Sequence, residues 1–332
     1  MAWKRFLFEQ TNRVLRPLDT EIVRRSDVWR SISLLGTQPA VPASAGTADQ
    51  SPYYRVFADE RATSEGDFAF SIVMPTVLRD TLPQALHSVF AQDLPGRIET
   101  LIGVDAPLGT IEVVERACQE RPQNHEVVLF YPGYSTSVRH RGLHPAWDGG
   151  VLRIVLSYLA RSRRVAYLDD DNWWSTDHLS LMAAALQGND WAWSQRWFVH
   201  PASRRPICVD DWESTGPGGK GTFAHLGGWV DPNCLAVDKI ACEAALRWWG
   251  IPLRNCKTGG TADRNVFRTL NENFRAGSTG QPTVFYTTNE RDCEQSQRVA
   301  NIGEARYRAA SHRTKDPTIQ SAELVSLPHC LA

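Results

Sequence analysis

The run Leu168-Asp169-Asp170-Asp171-Asn172-Trp173-Trp174 places three adjacent carboxylates directly after a short apolar stretch. Like charges so close repel one another, which is bearable on a solvated loop or beside a cation. Hard divalent ions take oxygen ligands, and Mg2+ or Mn2+ commonly uses one or two carboxylates and completes its shell with substrate phosphates. The run therefore fits a metal ion holding a diphosphate. It also fits the acidic start of a helix, with Ser175 or Thr176 as cap and Asp177 in the first turn, although that reading does not require all three aspartates. Asp105 closes the apolar run Glu99–Val104, and Asp263 opens the helical pattern Thr261–Leu270. Asp105 thereby stands at a strand end where a ligand would sit, and Asp263 suits a helix dipole as a first-turn charge.

The elements that must position these groups begin at Phe68. Ser71–Met74, Glu99–Val104, Glu126–Tyr131 and Arg164–Leu168 predict buried strands, and Leu82–Gln92, Ile111–Glu120 and Val151–Ala160 predict helices between them. Such alternation implies βαβ units and a parallel sheet with helices on both faces. Ligands of such sheets bind beyond the carboxyl ends of the strands, where Asp105 and Asp169–Asp171 fall. Farther on, Trp191–Val199 reads as a strand, 210–233 as a glycine-rich loop, and Val237–Trp249 and Thr261–Leu270 as helices.

Composition narrows the function classes. The chain has 332 residues, 42% hydrophobic and 22% charged, with 36 Lys+Arg against 37 Asp+Glu. A net charge of −1 argues against a general nucleic-acid binder. No run of about 18 apolar residues is present to span a membrane. Seven scattered cysteines without a C-x-x-C pair predict reduced, mostly buried thiols and a cytoplasmic protein. Residues 1–36 read as a basic amphipathic helix that either lies on the inner face of the cell membrane or packs on protein, a homo-oligomer partner included. Residues 37–67 read as a linker, 68–175 as a ligand-binding half, 176–310 as a second half and 311–332 as a tail. Nine of the 12 tryptophans lie between 173 and 249. Indole faces stack on sugar rings as well as in cores, and Trp212 with Asp211, in the glycine-rich loop, is the candidate sugar contact.

The order of these motifs resembles the family 2 glycosyltransferases over about residues 70–275. Ser71-Ile72-Val73-Met74-Pro75-Thr76, Arg79 and a helix ending near Gln92 resemble the family's opening strand and helix. Ile102-Gly103-Val104-Asp105 resembles its second strand, and Tyr167–Asn172 its D-x-D segment. Gly259–Leu270 resembles the acidic motif opening a late helix, with Ala262 where the family often has Glu. The resemblance implies a GT-A-like α/β fold: a mostly parallel sheet flanked by helices, with a Rossmann-like nucleotide-binding half and a mixed acceptor-binding half. It implies an inverting, non-processive, metal-dependent enzyme moving a sugar from a nucleotide-diphosphate donor, UDP-sugar favoured, to a glycan or lipid-linked acceptor, as in polysaccharide biosynthesis.

The same resemblance implies the roles. Asp171 would bind Mn2+ or Mg2+. Pro75, Thr76, Arg79, Asp105, Arg153, Asp169 and Asp170 would line the donor site, with Asp105 on the nucleobase and Arg153 near the phosphates. Asp263 would be the catalytic base. For such an enzyme Trp212 and Asp211 would face the acceptor, and the glycine-rich loop 216–221 reads as a lid that closes on the donor. A nucleotidyltransferase acting on sugar phosphates, or an inactive carbohydrate-binding protein, are the alternatives.

Overall fold

The computed structural model describes residues 51–59, 67–253, 261–290, 292 and 294–311. The described residues all fall in one compact unit, Gln50–Ala332. The basic segment 1–36, most of the linker, Gly259, Gly260 and nearly all of the tail lie outside the described residues.

Buried apolar runs form the first strands. β2 (Phe68–Thr76) is buried at eight of its nine positions and pairs in parallel with β3 (Arg97–Val104), which pairs in parallel with β4 (His125–Tyr131). Strands enclosed on both faces have no polar side to show, which is why they read as continuous apolar runs. Helix α1 (Leu82–Phe90) turns Leu82, Ala85, Leu86, Val89 and Phe90 inward, the spacing of a single helical face. Helix α2 (Glu112–Cys118) links β3 to β4, and α3 (Gly150–Leu159) leads to β5 (Arg164–Tyr167). β5 pairs in parallel with β2 on the side away from β3. The strand order therefore reverses between β2 and β5, the position at which open α/β sheets leave a crevice for ligands.

The second half is mixed, as expected. β11 (Leu235–Asp238) lies antiparallel between β5 and β7 (Trp191–Val199), and β12 (Ala276–Thr287) runs parallel to β7. β6 (Trp173–Trp174) and β8 (Pro206–Val209) are antiparallel neighbours of β12 and β7. Ten strands, including the edge strand β1 (Tyr53–Phe57) on β4, thus form one sheet through both halves. A separate two-stranded ribbon joins β9 (Gly216–Pro217) to β10 (Gly228–Trp229). Helices α4 (His178–Ala185), α5 (Glu243–Leu246), α6 (Ala262–Asn273), α7 (Gln295–Ile302) and α8 (Glu304–Ala310) complete the unit.

Three local expectations change. Tyr53–Phe57, inside the segment read as linker, is a strand, and its three exposed central residues hid it from hydrophobic patterning. Val237 belongs to β11 rather than to a helix, because a buried run as short as Leu-Ala-Val has no period to separate the two. Cys208 is disulfide-bonded, against the expectation of reduced thiols, whereas Cys118, Cys234 and Cys242 are free.

Candidate active site

The triple-aspartate turn leaves β5 at the crevice, and its three carboxylates have three different surroundings. Asp170 is buried: Thr76 Oγ1, at the end of β2, donates to its Oδ2 at 2.6 Å, and Arg79 pairs with its Oδ1. Thr76 Oγ1 also accepts from Leu78 N at 2.7 Å, so one hydroxyl ties the β2 exit loop to the aspartate turn. Asp169 pairs with Arg153 and accepts from Asn233 Nδ2 at 2.9 Å, while its own N–H donates to Asn233 Oδ1 at 2.6 Å. Asp171 is the least engaged. Its Oδ2 lies 3.3 Å from Arg79 and its side chain is 36% exposed. Desolvation, then the neighbouring Asp169, push the Asp171 carboxyl up to about 7 against the pull of Arg79; solvent reaching the side chain screens part of that repulsion.

Gln92 fixes the segment after the turn. Its Nε2 donates to Ser175 O at 2.7 Å and its Oε1 accepts from Leu179 N at 2.8 Å, clamping the start of α4 to the end of α1. The residue that resembled a family signature thus has a positioning role.

Asp263 lies in the first turn of α6, 9% exposed. Trp229 Nε1 donates to its Oδ2 at 2.9 Å, while Oδ1 is buried without a partner. Burial comes first and the charge of Asp148 second in pushing the Asp263 carboxyl up to about 7. Asp263 and Asp169 line one cavity of about 250 Å³. The cavity sets the turn at the sheet's crevice and the first turn of α6 on a shared space.

One wall of the cavity is a buried ion network. Arg196 is fully enclosed and donates to Asp210 Oδ2 at 2.8 Å, Glu213 Oε2 at 2.6 Å and Asp231 Oδ2 at 2.5 Å. Its guanidinium lies 4.0 Å from the Tyr286 ring centroid. Arg298 reaches Glu213 Oε1 at 3.0 Å and Asp292 Oδ2 at 2.7 Å. Asp231 also accepts from Asn233 N at 2.9 Å, so the network continues through Asn233 to Asp169.

The other residues expected at the site take varied positions. Pro75 is buried in β2, paired in register with Gly103. Asp105 follows β3 and its N–H donates to Thr76 O at 2.9 Å. Its carboxylate accepts from Ser135 Oγ at 2.8 Å and from Thr136 N and Oγ1, both at 2.9 Å, and so holds the loop after β4. Arg153 is buried rather than solvent-facing and points its charge at Asp169. Trp212 is a correction. It is buried and stacks on Phe198 at 4.8 Å in a small core with Ile207, Cys208 and Ile302, so its ring is no open acceptor platform. Asp211 beside it is part-buried and does not line the cavity. The pairing of β9 with β10 anchors the loop expected to be a lid.

Asp148, Trp229, Asp231, Asn233 and Arg264 also line or brace the cavity, and sequence reasoning did not find them. Arg264 falls inside the motif Gly259–Leu270, next to Asp263, and the others belong to no recognisable motif. The nearest available signal was the glycine pair after Asp148.

The fold and site define an α/β protein with an acid-rich cavity at the crevice of its sheet. No protein-family model matches the chain, and no curated protein matches it. Among solved structures it is similar to S. aureus TarS at 16% identity and a TM-score of 0.47, over 73% of this chain and 42% of that one. It is also similar to S. aureus TarS 1-349 in complex with UDP-GlcNAc, at 16% identity and a TM-score of 0.47, over 67% of this chain and 59% of that one. A third is the mannosyltransferase PcManGT from Pyrobaculum calidifontis in complex with GDP-Man and Mn2+, at 14% identity and a TM-score of 0.44, over 87% of this chain and 72% of that one. The chain thus spans less than half of the TarS chain it matches.

Proposed function

We propose that the protein is an inverting, metal-dependent, non-processive glycosyltransferase that uses a nucleotide-diphosphate sugar. One observation carries the reading: Asp169, from the turn after β5, and Asp263, whose Oδ1 is buried without a partner, line the same cavity. The donor's nucleoside would lie along Thr76 and Asp105 at the strand ends, with the diphosphate toward the aspartate turn. The transferred sugar would occupy the cavity.

Among the described residues no group of three or more metal-ligating side chains is already assembled. A site that completes its shell with substrate phosphates needs only one or two carboxylates. Asp171, least engaged of the three and 36% exposed, and Asp169 beside it fit that donor set, because a cation would offset the like charges of two adjacent carboxylates. When bound, the ion would supply charge neutralisation for the departing diphosphate.

Asp263 would then act as general base. Its unpartnered Oδ1 takes the proton of an acceptor hydroxyl while that oxygen bonds to the anomeric carbon. The bond from that carbon to the diphosphate oxygen breaks on the opposite face, so the configuration inverts. Trp229 fixes the orientation of the carboxylate through Oδ2. Arg153, enclosed by Asp169 and the Asp148 carbonyl, keeps the aspartate turn and the cavity wall in register.

The test is to incubate the full chain with uridine and guanosine diphosphate sugars and Mn2+, following nucleotide release and the anomeric configuration of the product. Release that disappears in Asp263→Asn supports the reading. Turnover of sugar 1-phosphate with a nucleoside triphosphate, without hydrolysis or transfer from any nucleotide sugar, overturns it.

A further inference from the structure

Asp148 is held in place by its backbone. The following Gly149 has φ +73°, and a Cβ there would come within 2.6 Å of Pro75 Cβ at the end of β2. Arg153 donates to the Asp148 carbonyl from the first turns of α3. The turn is thereby pinned to β2 and α3 together, and Asp148 lines the same cavity as Asp263.

The cavity concentrates unsatisfied groups. Asp148 Oδ1, Asp263 Oδ1, Arg153 Nε and Arg264 Nε are all buried without hydrogen-bond partners, and all four residues line it. A buried polar atom left unpaired costs about 1–3 kcal/mol, so such a cluster marks a place where a ligand supplies the partners. Both unpartnered carboxyl oxygens call for hydrogen donors.

The charge is also one-sided. Seven carboxylic side chains line the cavity against three arginines. Two of those arginines are already committed, Arg153 to Asp169 and Arg298 to Glu213 and Asp292. Arg264 is shared with Glu294 at 3.3 Å. An incoming carboxylate or phosphate on the sugar would meet arginines that each already face an acid, with one Nε–H left on Arg153 and one on Arg264, against seven carboxylic side chains. At about 250 Å³ the space is smaller than the roughly 300–1,000 Å³ of drug-sized sites, which suits a single small ring.

From this geometry we infer that Asp148 grips a hydroxyl of the transferred sugar and that, with Asp263, it restricts that sugar to neutral or amino sugars, excluding uronates and phosphosugars. The inference rests on the proposed transferase reading.

The test measures binding of UDP-glucose, UDP-glucuronate, GDP-mannose and GDP-mannuronate to the full chain with Mn2+, with UDP and GDP alone as controls. The uronate donors should bind at least about tenfold more weakly than their neutral counterparts, because like-charge contacts carry a large penalty. Asp148→Asn should shrink that ratio several-fold while leaving binding of the bare nucleotide unchanged. Equal binding of neutral and uronate donors overturns the inference while leaving the transferase reading standing, and so does undiminished discrimination in a folded Asp148→Asn. Failure to bind either nucleotide overturns both. If Asp148→Asn does not fold, the wild-type ratio decides alone.

Discussion

Trp229 Nε1 donates to Asp263 Oδ2 at 2.9 Å, which divides the two oxygens of one buried carboxyl between a fixed anchor and an unpartnered atom in the cavity. A base that must both hold its aim and accept a proton requires this asymmetry. Replacing Asp263 by Asn keeps shape and volume but removes the proton acceptor. Transfer should fall by about 10²–10⁴-fold, the usual worth of general base catalysis, with the fold retained. Nucleotide release assays with circular dichroism as the fold control check this.

Stability should move the other way. The folded Asp263 carboxyl sits at about 7 against an ordinary 3.8, so the folded state holds a proton that the unfolded state gives up. Wild-type stability from this group is therefore fullest at low pH and is lost as pH rises toward about 7. Asn carries no charge at any pH. The advantage of Asp263→Asn in thermal midpoint should be absent near pH 4, grow toward about 7 and level off above it. A difference that stays flat across this range would show that Asp263 is ionised throughout.

If Asp263 is the base as proposed, the same value would set the pH dependence of transfer. The base must be ionised, so kcat/KM should rise with pH through about 7 and reach a plateau above it. Trp229→Phe removes a hydrogen bond that favours the charged carboxylate. A bond to a charged group is worth about 1.5–3 kcal/mol, so the rising limb should move up by roughly 1 unit or more. A rate loss in Trp229→Phe with no shift of the limb would assign the indole to packing alone.

The legible part of this protein is the part that repeats a period. The strands and helices from Phe68 to Leu168 derive from apolar runs and a helical stripe, and their order already placed Asp105 and Asp169–Asp171 at strand ends. Asp263 at the start of α6 was legible for the same reason. Trp212 shows the limit. A tryptophan among acids in a glycine-rich loop reads as exposed, yet Phe198 and Ile302 enclose it through contacts 14 and 90 residues away in sequence. Asn233 and Asp148 belong to no repeat and no motif, and only the folded chain brings them to the cavity. Arg153 gave its position but not its burial, because the helix pattern does not reveal that Asp169 waits opposite.

The proposed metal dependence has a discriminating test in the aspartate turn. Chelation should abolish transfer and Mn2+ should restore it. Asp171→Asn should lower transfer by at least about 10²-fold, since charge stabilisation by a metal is worth several kcal/mol. Asp170→Asn should act chiefly on stability instead, because Asp170 is buried and engaged by Thr76 and Arg79 rather than open to a ligand. Thermal midpoints with and without Mn2+ plus nucleotide separate the two. The metal-linked rise should vanish in Asp171→Asn and persist in Asp170→Asn, and the reverse pattern would reassign the ligand.

Arg196 carries the largest structural prediction. It is fully buried and the shared cation of Asp210, Glu213 and Asp231. Arg196→Met would match much of its volume but leave Asp210 and Asp231 without their counter-charge and Glu213 with Arg298 alone. Removing one partner of a buried pair costs about 3–5 kcal/mol, against a typical total of about 5–15 kcal/mol. Urea unfolding at neutral pH should therefore show a loss of that order. Arg196→Lys should recover only part of it, since an ammonium cannot reproduce the planar fork that reaches three acceptors. Burial raises the Asp231 carboxyl while Arg196 pulls it down, so losing Arg196 must raise it further in the Met variant. A raised carboxyl pKa stabilises the fold as pH falls, so the deficit of Arg196→Met should narrow from pH 8 to pH 5. A deficit unchanged across that range would mean that water or another cation neutralises the three acids, and that the cavity wall they form is softer than its packing indicates.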